Sequence, residues 1–249
     1  MLVQFLVFSF LATTLWAGSF SADWPIGKSE KVLYEITLYG PTEVKSYIHL
    51  EVSRAVSSGD LFTVTQTTEI PEQTVTIKSI EKYRAADMKL VSSENYFTLP
   101  PEAAQQLGTN FISIIARANG DSLAISSNNP IIPSEKRLLT NDLTTCVGAF
   151  LTCRNSDFKM GSGHQYHMID MFAITPPYFS ILDMADSVVG EGTVTVPAGV
   201  FVCYKVKTMA GGTSYVYYSK EKGRLPIRLE ALDSLSGKPI STIILQKYE

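Results

Sequence analysis

Four short runs close this chain: TVTVPAGVFVCYKVK, TSYVYYS, RLPIRLEAL and ISTIILQKY, separated by Gly-, Pro- and Ser-containing breaks such as AGG, KEKGR and SLSGKP. Val, Ile, Tyr and Thr favour a pleated backbone, and the breaks favour tight reversals, so the pattern predicts an antiparallel meander. In the third run Leu225, Ile227, Leu229 and Ala231 point one way while Pro226, Arg228 and Glu230 point the other. Strict alternation of this kind means one buried sheet face and one wet face.

The same grammar extends upstream. KVLYEITLY, VKSYIHLEVSRA, DLFTVTQTTEI, QTVTIKSIEKYRA and MKLVSSENYFTL read as strands between Lys31 and Leu99, broken at Gly40-Pro41, Ser57 to Asp60 and Pro71-Glu72. Pro100 to Gly108 reads as a short helix, with Pro in its first turn and Gly at its end. FISIIAR and SLAIS flank Asn119-Gly120, which predicts a type I′ hairpin with both central residues at positive φ. Leu143, Cys146, Val147, Phe150 and Leu151 recur at helical spacing behind Asn141-Asp142, predicting one apolar helix from Asn141 to Arg154. At Val196-Pro197-Ala198-Gly199 the expectation is a bulged three-residue hairpin with Gly199 left-handed.

Ten or more strands exceed what a flat sheet holds. The predicted fold is therefore mainly β, a strongly curved antiparallel sheet or open half-barrel wrapped around one or two short helices. No linker, repeat or step in composition follows residue 22, so residues 23–249 are expected to form a single domain.

Leu2 to Ala17 is apolar and free of charge, and Ser19-Phe20-Ser21-Ala22 places small residues at the −3 and −1 positions of a cleavage after Ala22. Residues 1–22 are accordingly expected to be a signal peptide, although no Lys or Arg precedes the apolar run. Ser9, Thr13 and Thr14 interrupt that run, and no other segment is apolar enough to span a bilayer, so the mature chain is expected to carry no integral membrane segment. The expected location is periplasmic or secreted. With 21 Lys+Arg against 24 Asp+Glu and no basic run, nothing provides an electrostatic footprint for nucleic acid.

Three cysteines, Cys146, Cys153 and Cys203, leave at least one thiol unpaired in a monomer. On one helix, Cys146 and Cys153 would stand about 10 Å apart at about 1.5 Å per residue, beyond the roughly 7 Å a disulfide spans. They could bond only if that segment is not helical. Cys203 belongs to a strand, on the face of Lys205 and Lys207, and all three thiols are read as packing residues.

The one concentration of reactive side chains is Asp157, Ser162, His164, His167 and Asp170. His and carboxylates are metal ligands and acid/base groups. On a strand, however, His164 and Asp170 share a face and His167 points away, which disperses them. Gly161-Ser162-Gly163-His164 lacks the spacing of a hydrolase elbow, and phosphate loops, C-x-x-C pairs and HExxH are absent. Tyr215, Tyr217 and Tyr218 are read as strand packing. No catalytic, cofactor or metal residue is assigned, no cofactor is expected, and the chain is not expected to be an enzyme.

Thr195 to Phe201, the Tyr204-Lys205-Val206 strand, Tyr217-Tyr218-Ser219 and Arg224 to Arg228 resemble the C-terminal signature of the exported bacterial family called domain of unknown function 3108. Asn141 to Leu151 with Arg154, Gly161 and Gly163 is similar to that family's central helix and following strand. The resemblance implies a fold like that of the periplasmic lipoprotein carriers, in which a curved sheet wraps a helix, and an envelope location. It implies a hydrophobic or lipid-like ligand, and it brings no catalytic residues. Two functions are consistent with this reading: a non-catalytic binding or carrier module, or a structural and assembly protein working through an envelope protein partner. The N-terminal reading predicts that protein secreted by a suitable host begins at Asp23; intact-mass spectrometry checks it, and a full-length chain retained in membranes is the contrary result.

Overall fold

The computed structural model of the chain describes residues 29–55, 60–153, 158–221 and 224–249. The expected leader, residues 1–22, lies outside the described residues, as does Asp157. Among the described residues fifteen strands form one sheet, antiparallel except for the terminal β9–β10 pair, in the order β8-β7-β6-β5-β4-β3-β2-β1-β15-β14-β13-β12-β11-β10-β9. The chain thus builds one arm outward from β1 (Ser29–Leu38) to β8 (Glu135–Leu138), and the other from β9 (Leu143–Thr145) back to β15 (Pro239–Tyr248), which pairs with β1. The sheet is open, with β8 and β9 as its end strands.

The upstream strands fall where the alternation puts them. β2 (Val44–Ala55), β3 (Leu61–Ile70), β4 (Val75–Arg84) and β5 (Leu90–Thr98) follow one another in the sheet, each hydrogen-bonded to the last. Their concave-facing residues form continuous rows. One runs Val52, Val64, Glu81, Ser93, Ala116 and Ile125 across β2 to β7 (Ser122–Ser127), with β6 at Phe111–Asn119, and all six are buried. A first helix, α1 (Pro101–Leu107), is closed by Gly108 as expected.

Three local expectations change. The β6–β7 reversal is the two-residue loop Gly120-Asp121 between paired Asn119 and Ser122, one step on from Asn119-Gly120. Only Gly120 has positive φ there, at 59°, the demand of a type II′ rather than a type I′ turn. Between β11 (Ile181–Val196) and β12 (Gly199–Met209), Val196 pairs directly with Gly199, so the link is Pro197-Ala198 alone. Gly199 has φ 142°, positive but far from the left-handed region.

The third change concerns the apolar helix. Leu143–Thr145 is extended and pairs in parallel with β10 (Gly163–Ile169), and the helix, α2, begins at Cys146 and ends at Cys153. The residue that starts it is Thr145, whose Oγ1 accepts the Gly148 N–H at 3.0 Å, the N-cap geometry. Asp142 is occupied elsewhere, 2.8 Å from His167 Nδ1. Sequence periodicity overshoots here because Leu143 and Thr145 are buried as strand residues, which adds apolar positions in helical register that belong to another element.

An eight-residue helix has no stability of its own. α2 is held by burial, lying against β3 and β4 on one side and β9 and β10 on the other, with Cys146, Val147 and Ala149 all buried. It occupies the concavity, as the number of strands and the single apolar helix imply. The approach is close at Gly148, where a Cβ would sit 2.2 Å from the Tyr83 hydroxyl and 2.7 Å from Thr144 Oγ1. Gly148→Ala is expected to destabilise by about 2–4 kcal/mol in urea unfolding, because the buried Tyr83 hydroxyl cannot withdraw from the packed core. Gly192→Ala, where a Cβ meets nothing within 4 Å, should stay within about 0.5 kcal/mol of the parent.

Candidate functional site

Two polar constellations interrupt the apolar lining of the concavity. The first centres on Glu81 of β4, which is 1% exposed. Its Oε1 accepts the Ser93 hydroxyl at 2.9 Å. Its Oε2 accepts the hydroxyls of both Tyr83 and Thr145, and those two hydroxyl oxygens lie 2.7 Å apart. Asn95 extends the network by donating to Ser93 Oγ at 2.9 Å. Burial raises the Glu81 pKa above the ordinary glutamate value, against the opposing pull of Thr145, Tyr83 and Ser93. Hydrogen counting agrees with that direction. Around Oε2, an ionised Glu81 leaves two hydroxyl hydrogens for three oxygen–oxygen contacts, whereas a protonated one supplies three. Burial and the adjacent carboxyl likewise push the Tyr83 phenol well above its usual value.

This cluster is a joint between helix and sheet. Thr145 caps α2 and simultaneously bonds to Glu81, so the helix start and the fourth strand share one side chain. Glu81, Tyr83 and Thr145 are each at most 1% exposed, so no substrate reaches them.

The second constellation is on the other arm, centred on Asp186 of β11, which is buried and opposes Thr208 of β12 and His164 of β10. Neither Asp186 Oδ1 nor Thr208 Oγ1 has a well-formed hydrogen bond among the described residues. Burial raises the Asp186 pKa to about 7, with the neighbouring Thr208 pulling it down. The inner face here is carried by Met184, Asp186 and Val188, with Val206 and Thr208. Past a bulge at Val189 the buried side changes: Val194, Val196, Phe201 and Cys203 are buried on the opposite face, and Phe201 packs against Tyr248 with ring centroids 6.1 Å apart.

The reactive residues picked out by composition are scattered. His164 is half-buried on β10 beside Asp186. His167 faces the other way, at the surface, with Nδ1 2.8 Å from Asp142 and Nε2 3.3 Å from Asp183. Asp170 is buried and accepts the Phe172 N–H at 2.8 Å. Ser162 Oγ donates to the Lys159 carbonyl at 2.7 Å within a turn. Among the described residues no group of three His, Cys, Asp or Glu is arranged to hold a metal. Cys146 and Cys203 are free, buried thiols, and burial raises both, Cys203 to about 11. Tyr215 and Tyr217 flank the Lys205 ammonium, 4.0 and 5.6 Å from their ring centroids, while Tyr218 is buried.

Glu81, Asp186 and Thr208 escape a search for motifs, yet each leaves a trace. In Val75, Ile77, Ser79, Glu81 and Tyr83, and again in Met184, Asp186 and Val188, a carboxylate stands at the apolar parity of an alternating strand. On the outer face of β1, β2 and β3, a groove of about 310 Å³ is lined by Lys31, His49, Glu51, Thr65, Lys247 and Glu249 among others. Its charges are mixed in sign, and it does not communicate with either constellation through a shared residue.

Asp186 makes a prediction of definite sign. Its folded pKa of about 7 lies above the ordinary 3.8, so the native state binds the extra proton. Stability is fullest at low pH and falls as pH rises from about 4 to about 7. Asp186→Asn is expected to remove this share of the slope and to stabilise the protein at pH 8 by as much as about 4 kcal/mol, read from urea unfolding across pH. An unchanged slope is the contrary result.

No family model matches the chain, and no curated protein matches it in sequence. Among solved structures, a β-barrel-like protein of domain of unknown function 1849 from Brucella abortus matches with a TM-score of 0.54 at 8% identity, over 89% of this chain and 97% of its own. A protein of Parabacteroides distasonis, provisionally assigned as a lipoprotein, gives 0.40 at 13% identity over 90% and 97%. A protein of Bacteroides fragilis, provisionally assigned as exported and with a YmcC-like fold, gives 0.31 at 14% identity over 90% and 97%. The last two are too distant in shape to bear on the argument. The first establishes a shared fold and nothing of function. The likeness to domain of unknown function 3108 thus rests on turn and strand pattern alone, while the coarser expectation, a β-rich domain of the barrel-like kind, is what the chain folds into.

Proposed function

We propose that this protein is a non-catalytic binding module, exported to the cell envelope, that holds a lipid-like ligand against the concave face of its sheet. The observation that carries this is a carboxyl on that face with an oxygen unpartnered among the described residues: Asp186, 8% exposed, whose Oδ1 has no well-formed hydrogen bond. An unmade bond costs about 1–3 kcal/mol, which a core evolved only for packing has no reason to retain. A ligand that supplies the missing partner recovers that energy, and the surrounding apolar wall contributes about 25 cal/mol for each Å² it shields.

The assembly alternative is weaker. An exposed sheet edge is the natural place for another chain to add, but the end strands are poor templates: β8 has four residues, three of them Glu135, Lys136 and Arg137, and β9 has three. Catalysis is disfavoured because the densest cluster of reactive groups, around Glu81, is sealed. Export is supported by the apolar, uncharged N-terminus and its small-residue end.

Titrating detergent-free protein with the uncharged dye N-phenylnaphthylamine is expected to give a saturable fluorescence rise at one site, reversed by a lipid-like competitor. A linear, unsaturable signal, together with a bare protein mass by native mass spectrometry, is the outcome that overturns this function.

A further inference from the structure

Glu81 is a carboxyl that no cation answers. Its neighbours across the sheet are Val64 of β3 and Ser93 of β5, Tyr83 stands beside it on β4, and Thr145 and the Gly148 N–H reach it from the start of α2. The titratable groups in this company are Tyr83 and Cys146, the latter also under the field of Asp170. Among the described residues no Lys, Arg or His faces the carboxyl from any of these elements.

Burial pushes Glu81 above the ordinary glutamate value, against the pull of the Thr145, Tyr83 and Ser93 hydroxyls and the Gly148 N–H. Burial also holds the Tyr83 phenol and the Cys146 thiol well above their usual values. As pH rises, the carboxyl is therefore the first of the three to lose its proton. What that loss does is fixed by the contacts. Glu81 Oε2, Tyr83 Oη and Thr145 Oγ1 form a triangle of close oxygens, the two hydroxyls 2.7 Å apart. With three hydrogens, each side of the triangle is a hydrogen bond; with two, both hydroxyls turn to the carboxylate and their own contact becomes oxygen against oxygen. A charge is then buried without a counter-ion. The cost falls on the weaker side of the joint. β4 is hydrogen-bonded to both β3 and β5, whereas Thr145 belongs to a three-residue end strand and opens a helix of eight residues.

We propose that α2 is held in the concavity by a proton: the hydrogen shared among Glu81, Tyr83 and Thr145 is a latch, and its loss to solvent at rising pH lets β9 and the first turn of α2 come away from β4 while the rest of the sheet stays folded. α2 is then a plug with a proton-controlled release, and that release uncovers the concave face. The device needs no ligand, so it stands or falls apart from the proposed function.

The test is amide hydrogen exchange by NMR on the whole protein across pH, corrected for the intrinsic pH dependence of exchange. Once exposed, Glu81 ionises near its ordinary 4.5, and while docked it ionises higher. Docking is accordingly strongest below about pH 4.5 and weakens as pH rises through the docked value. In that window the opening equilibrium of the α2 amides is expected to grow about tenfold per pH unit, the worth of one proton. The Leu50 and Val52 amides of β2 should stay better protected throughout, which marks the opening as local. The rise should vanish in Glu81→Gln, whose amide still donates to a hydroxyl, and persist in Asp186→Asn. The carbon-13 shift of the Glu81 carboxyl in the parent protein provides a readout that needs no variant, and it should titrate above the ordinary glutamate range. A flat α2 opening, a rise that survives Glu81→Gln, α2 and β2 amides that open together at every pH, or a carboxyl that titrates at its ordinary value overturns the latch.

Discussion

The contact on which this architecture turns is the meeting of Glu81, Tyr83 and Thr145. A fifteen-strand sheet that curls on itself needs something to define how far it curls. Here the answer is α2, and α2 is fixed at its first turn, where Thr145 caps the helix and bonds across the concavity to β4. Gly148 completes the joint by having no side chain, so that the Tyr83 hydroxyl can lie against the helix backbone. The joint is polar in an apolar core, which gives it direction: hydrophobic contact alone would let a short, uniformly apolar helix slide or rotate, whereas a carboxyl with three hydroxyl partners accepts one geometry.

The two arms of the sheet use buried polarity differently. On the β1–β8 arm the carboxyl is satisfied by Ser93, Tyr83 and Thr145 and serves structure. On the β9–β15 arm Asp186 has one oxygen unpartnered. A satisfied buried carboxyl rigidifies, and an unsatisfied one costs stability and awaits a partner. That contrast is why the functional reading rests on the second and not on the first, although both are buried carboxylates flanked by hydroxyls.

Much of the candidate site was within reach of the sequence but masked by its chemistry. Rarity and reactivity single out Asp157, Ser162, His164, His167 and Asp170 in the sequence. Of these, His164 alone lies directly opposite Asp186, and Asp186 looks, in the string ILDMADSVVG, like any surface aspartate. What distinguishes it is parity, since Met184, Asp186 and Val188 point inward together. Parity alone does not carry through the hairpin, because beyond the bulge at Val189 the buried face changes and Cys203 is buried on the Lys205 side.

Alternation and turn chemistry, which are properties of a few consecutive residues, determined by themselves the strands of the first arm, the terminal meander, the α1 helix and the curled β class. They act locally, through pleat and backbone preference, and so they survive without knowledge of what lies opposite. Three things waited on tertiary structure: the start of α2 at Thr145 rather than Asn141-Asp142, the identity of the two-residue turns, and the placing of Asp186 between Thr208 and His164. Each depends on register between strands or on a partner far away in sequence, as when Thr145 meets Glu81 across 64 positions. Sequence spacing carries no record of such a meeting, because a strand's partner is chosen by the packing of the whole sheet.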